Sequence, residues 1–179
     1  MDTGPKGQNR RSTRGIIPHI TAQASANVIA VGGPLSESSW FGYLERVFRY
    51  GSHNKLILGG SEAVLVLEHM AKGGNIQMQD VPTKDTYGME LAKMRTTAGT
   101  VYIKSHPLWN MHPVLRQNLL IVDTEHIEEV ILDDLLFLKD RQNPGDDMKS
   151  DEYLMESGVI TKFAEAHMYL TGITSFAPQ

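Results

Sequence analysis

Residues 34–72, PLSESSWFGYLERVFRYGSHNKLILGGSEAVLVLEHMAK, constrain the fold of this chain more than any other stretch. Trp40, Phe41, Leu44, Val47 and Phe48 recur at helical spacing. They follow Ser36, a natural N-cap residue, and Glu37, which sits where the positive end of a helix dipole favours a carboxylate. Gly51 is the expected stop of this helix. The run KLIL at 55–58 reads as a short interior strand. Gly59, Gly60 and Ser61 then turn the chain, with Ser61 as the expected cap of a second helix reaching about Lys72, ended by Gly73 and Gly74. This helix–strand–helix unit carries no nucleophile, metal cluster or cofactor loop, which points to structure or binding.

With 179 residues the chain forms one domain, or a domain with an extra layer. It buries roughly 70% of its unfolded surface without a covalent staple. It has no cysteine, which excludes disulfides and thiolate metal sites. No apolar run approaches the ~20 residues of a membrane span, and the polar N-terminus has no signal-peptide core. A soluble cytoplasmic protein is the default expectation. The net charge of −4 is unevenly spread. Lys6, Arg10, Arg11 and Arg14 face only Asp2 among the first 14 residues, whereas 12 acids against three bases fill residues 123–156. A basic arm and an acidic C-terminal third suit complementary contacts within or between copies. A disordered tail beside a solvated acidic surface is the competing reading.

Along the chain, residues 1–26 read as an extended arm or linker, with GIIPHI at 15–20 a short apolar strand or anchor and 21–26 a loop. VIAV at 28–31 is an expected strand. Residues 75–105 turn towards β, with a helix-favouring but ambiguous stretch at 87–96 and a hairpin across Gly99 into the strand VYI at 101–103. Pro107 and Pro113 bracket a loop. LLIV at 119–122 is a buried strand, 130–138 a strand with a bend, 141–150 a polar loop, and 156–173 one long closing strand.

Seven histidines raise a metal hypothesis, but none has ligand spacing. His106 and His112 lie six apart in the proline-bracketed loop and lack further ligands, so packing or surface histidines are the simpler reading. Glu165 and His167 would share a strand face and form a charge pair. The Gly59-Gly60-Ser61 turn lacks the phosphate-loop patterns. Asp146-Asp147 lies in a solvated acidic turn without an EF-hand pattern. Arg10, Arg11 and Arg14 without interleaved aromatics are thin support for nucleic-acid recognition. No catalytic, cofactor or metal residue is assigned.

The order of pieces carries a resemblance. NRRSTRGI at 9–16 leads into PLSES…ERVFRYGS…KLILGGSEAV at 34–64, RTTAGTVYIKSHPLW at 95–109, LLIVDTEHIEEVIL at 119–132 and GVITKFAEAHMYLTGI at 158–173. This succession resembles the major capsid proteins of tailed bacteriophages of the SU-ten-like type, whose Hong-Kong-97-type shell fold also occurs in encapsulins. The resemblance implies an α+β fold: a small mixed sheet flanked by two helices, and a β-rich C-terminal half. It implies an arm at 1–26, an axial-type domain at 27–100, and a segment at 101–179 returning to a peripheral domain. The family's amino-terminal arm, extended loop and long spine helix, which precede the Arg-rich linker, are absent from this sequence, so the resemblance implies either a carboxy-terminal fragment of a larger capsid protein or an unusually truncated relative. The expected function is a non-enzymatic subunit of an icosahedral virion shell around DNA, made in the host cytoplasm. Its partners would be copies of itself in hexamers and pentamers, with non-specific contact to the enclosed DNA. Arg10, Arg11 and Arg14 are the candidate intersubunit contacts. A phage-associated adaptor module, and a small metal-dependent hydrolase using His106 and His112, are the alternatives.

Overall fold

The computed structural model describes residues 14–72, 78–80, 92–142, 145 and 148–177. Arg10, Arg11, the glycine pair at 73–74, the stretch 81–91 and Asp146-Asp147 lie outside the described residues.

The first described element is a helix, α1 (Ile16–Gln23), where a short strand or anchor at 15–20 and then a loop were expected. Pro18 is no obstacle there, because first-turn N–H groups have no intrahelical partner. The helix buries Ile20, with Ala24 just beyond it. The arm is therefore packed from residue 16 onwards. A 3-10 turn, Ser25–Asn27, leads into β1 (Val28–Ser36).

The expected helix–strand–helix unit follows as α2 (Glu37–Val47), β2 (Asn54–Gly59) and α3 (Ser61–Lys72). Ser36 caps α2 by accepting the Ser39 N–H at 3.2 Å. Ser61 does not cap α3. Its own N–H is instead capped by the Asn110 side chain at 2.8 Å, a partner 49 residues away. Gly60 lies directly against the Arg116 backbone, where a Cβ would overlap it.

The remaining strands are β3 (Met78–Asp80), β4 (Ala92–Arg95), β5 (Thr100–Ser105), β6 (Leu119–Val122), β7 (Ile127–Leu138), β8 (Glu152–Thr161) and β9 (Met168–Ala177). β4 and β5 form the expected hairpin across Gly99. The proline-bracketed loop contains a short helix, α4 (Pro107–Asn110), and a 3-10 turn, Leu115–Gln117. The closing segment is two strands rather than one, broken at 162–167 by a 3-10 turn, Ala164–Ala166, entered through Phe163 in the left-handed region (φ 47°).

Seven strands form one mixed sheet in the order β1-β9-β6-β2-β5-β4-β3. β1–β9 and β2–β5 pair parallel; the other four pairs are antiparallel. The sheet thus draws strands from both sides of residue 100, so the expected division there is not a sheet boundary. Trp40, Leu44 and Val47 of α2 and Ala63, Leu67 and Met70 of α3 share one core with Ile57, Leu119 and Ile121. Ile20 and Ala24 cover the other face with Leu120, Val122 and Tyr169. With both faces covered, all four β6 residues are buried, as its unbroken apolar run requires.

Candidate functional site

β7 and β8 form a separate two-stranded antiparallel sheet, from Ile127 opposite Thr161 to Leu138 opposite Glu152. β7 carries extra residues between Ile131 and Asp133 and between Asp133 and Leu136. Each bulge shifts the alternation, so apolar side chains appear on both faces of the ribbon. Of the nineteen exposed large apolar side chains among the described residues, eleven belong to these two strands. Leu132 is 72% exposed and Leu135 60%. Phe137 and Tyr153 make a cross-strand aromatic pair with centroids 4.8 Å apart. Glu128, Glu129, Asp133, Asp134, Glu152 and Glu156 place the acidic surplus on the same ribbon. A lone two-stranded ribbon is marginal in water, and an exposed apolar surface of this extent marks a contact site.

The ribbon is rooted in one buried polar cluster. Leu56 pairs with Val122 in the antiparallel ladder, so Lys55 and Asp123 fall opposite one another one step further along. Their charged groups meet at 2.8 Å with both side chains fully buried. Lys55 Nζ also donates to the carbonyls of Tyr50 (2.9 Å) and Ala166 (3.2 Å). Three acceptors match the three protons of an ammonium, which fixes Lys55 as charged. The Asp123 carboxylate accepts from the Ser52 N–H (2.6 Å), the Ser52 hydroxyl (2.9 Å), Lys55 and the Glu125 N–H (3.1 Å). Gly51 (φ 78°) packs on this group, where a Cβ would overlap both Asp123 and Lys55.

Burial pulls the Lys55 ammonium below its ordinary value, and the bond to Asp123 offsets only part of this. Burial pushes the Asp123 carboxyl up, but the hydrogen bonds from Lys55 and Ser52 outweigh it and hold the group well below the carboxylate range. The complete set of donors and acceptors around the pair favours the charged form.

His167 completes the cluster. Its Nδ1 accepts the Asp123 backbone N–H at 3.1 Å and its Nε2–H donates to the Lys162 carbonyl at 3.3 Å. Burial lowers its pKa, and nearby Lys55 adds to the effect. The expected Glu165–His167 strand pair does not form: Glu165 lies exposed on the 3-10 turn and His167 is buried, because the turn separates their directions. Asn27 pins this turn by donating to the carbonyls of Glu165 (2.8 Å) and His167 (2.9 Å).

Arg14 is exposed. His106 stacks obliquely near Trp109, with centroids 6.0 Å apart. His112 Nδ1 accepts the Val114 N–H at 3.3 Å. No group of three or more histidines and carboxylates suited to a metal occurs among the described residues. The Lys55–Asp123–His167 cluster was missed in the sequence. The available signal was a pair of matched apolar runs, KLIL and LLIVD, bracketed by opposite charges.

A family model described as SU10 major capsid protein matches residues 2–174. Among solved structures, the encapsulin of the holo-SrpI encapsulin complex from Synechococcus elongatus PCC 7942 is similar, with a TM-score of 0.55 and 10% identity. The match covers 86% of this chain and 56% of that one, so the chain spans little more than half the encapsulin's length. At this identity the likeness is one of fold, the Hong-Kong-97 type. No curated protein matches the sequence.

Proposed function

The chain belongs to the SU10 major capsid protein family, and from that premise we propose that it is a structural, self-associating subunit of a virion shell with the β7–β8 ribbon as a principal contact surface. One observation carries the reading: among the described residues, most of the exposed large apolar side chains sit on a ribbon that cannot cover its own faces. A second copy supplies that cover, and symmetry repeats the contact around the shell. The seven-stranded body forms the axial part, and residues 127–161 form the part that reaches the peripheral domain. Arg10, Arg11 and Arg14 meet the acidic ribbon of a neighbour, which sets register between copies. The shell is assembled in the host cytoplasm and encloses DNA without reading its sequence.

Electron microscopy of the full-length protein tests this. Closed shells or hexameric rings are expected, and a strictly monomeric or dimeric product overturns the proposal. Replacing Arg10, Arg11 and Arg14 together by Glu is expected to impair assembly. Shells of unchanged yield and shape would remove the arm from the mechanism.

A further inference from the structure

Besides the apolar packing of Ile127 on the Ile20 cluster, the ribbon's root is tied to the sheet by a few polar side chains. The chain leaves β6 through Asp123 and returns from β8 through residues 162–167. His167 ties these two crossings together, accepting a hydrogen bond from the Asp123 N–H at Nδ1 and donating one from Nε2–H to the Lys162 carbonyl. The Lys162 N–H in turn donates to the His126 carbonyl at 2.8 Å. This arrangement demands a neutral imidazole, because Nδ1 must be an acceptor. A proton on Nδ1 would set two donors face to face and leave the buried Asp123 N–H without a partner.

We propose that His167 is a proton-operated latch at the root of the ribbon: protonation at Nδ1 breaks its bond to the Asp123 backbone and frees β7–β8 from the sheet while the sheet stays folded. The charged and titratable neighbours fix the sign. Lys55 on β2 opposes a second positive charge beside it, while Asp123 favours one. Asp123 is already held by four donors, so it has little left to offer an imidazolium. His126, on the turn before β7, has Nδ1 3.2 Å from Asp123 Oδ2. That approach is to the Asp123 side chain and not to the His167 ring, so it is no part of the bond between Nδ1 and the Asp123 N–H. Glu165, beside His167 in the chain, is exposed, and α1, packed against the 164–166 turn, carries only His19 as a titratable group. Burial of the ring sets the direction: the free, open form takes a proton more readily than the latched one.

Hydrogen exchange read residue by residue tests the latch on the full chain before any shell forms, so its outcome is separate from that of the assembly proposal. Between pH 6.5 and 5.5, after correction for intrinsic exchange, the Asp123 and Lys162 amides are expected to open about fivefold more, the rise that follows when one proton is taken up on opening by a ring whose open form titrates near 6.5. The Ile57 and Ile121 amides should keep their protection. His167→Gln, which keeps an acceptor and a donor but does not titrate, is expected to remove the pH response, and His126→Gln to leave it in place. Unchanged protection in the parent chain, equal loss at Ile57 and Ile121, or a full response in His167→Gln would each overturn the latch. If His167→Gln does not fold, nuclear magnetic resonance of the His167 ring in the parent decides the matter. Ring protonation that tracks the amide opening supports the latch, and a ring that stays neutral through the opening overturns it.

Discussion

β6 and β7 are neighbours in sequence, joined only by the turn Thr124–His126, yet they treat the same residue types in opposite ways. β6 buries all of Leu119, Leu120, Ile121 and Val122, because α2 and α3 cover one face of its sheet and α1 the other. β7 leaves Val130, Ile131, Leu132, Leu135, Leu136 and Phe137 exposed, because it pairs with β8 alone and, among the described residues, its sheet lacks the helical layers that cover both faces of β6. Apolar content therefore does not separate core from contact surface in this chain. What separates them is how many layers the rest of the fold supplies.

The sharpest test of the contrast lies at the seam between the two regions. Lys55→Met strands the Asp123 carboxylate in the interior and is expected to cost about 3–5 kcal/mol of stability, read by chemical denaturation. Combining it with Asp123→Leu should recover most of that loss; a double variant as unstable as the single one would show that the cluster matters for shape rather than charge. Within the sheet domain, Leu44→Ala is expected to cost about 2–5 kcal/mol, since Leu44 is buried beneath α2. On the ribbon the same kind of change has little thermodynamic effect. Leu132→Glu with Leu135→Glu should shift stability by no more than about 0.5 kcal/mol per site yet abolish assembly, measured by denaturation and by sedimentation. A large stability loss would mean that the ribbon is covered within its own chain.

Acid should strike the seam before the core. The unfolded His167 ring takes a proton near 6.5, while the folded ring resists until lower pH. Proton uptake thus favours unfolding, and thermal stability should decline as pH falls below 6.5. Asp123 adds a second limb: its folded pKa is depressed, so its contribution is present above the ordinary 3.8 and is lost as pH falls through the folded value. A melting temperature flat from pH 7 to 5 would contradict the first limb. A small effect, on stability alone, is expected at Lys162, whose contact with Glu128 is half-exposed. Lys162→Ala should cost no more than about 1 kcal/mol, and that only at low salt.

The local pattern of residues determined a good deal. Helical spacing behind Ser36 marked α2, unbroken apolar runs marked β2 and β6, and Gly99 marked the β4–β5 turn. The succession of these pieces pointed to the capsid family. Short-range rules suffice for such elements, because spacing, capping and turn residues act within a few positions. Elsewhere distant partners decided. GIIPHI became a helix because Ile20 had a sheet face to cover. The cap of α3 came from Asn110, and the final strand broke at 162–167 because Asn27 and Lys55 bind the carbonyls of that turn. Most of all, nothing local distinguishes the apolar residues of β6 from those of β7, or marks Lys55, Asp123 and His167 as one cluster. Burial and charge pairing are properties of what the chain brings together, and that was fixed only when the ladder set Leu56 beside Val122.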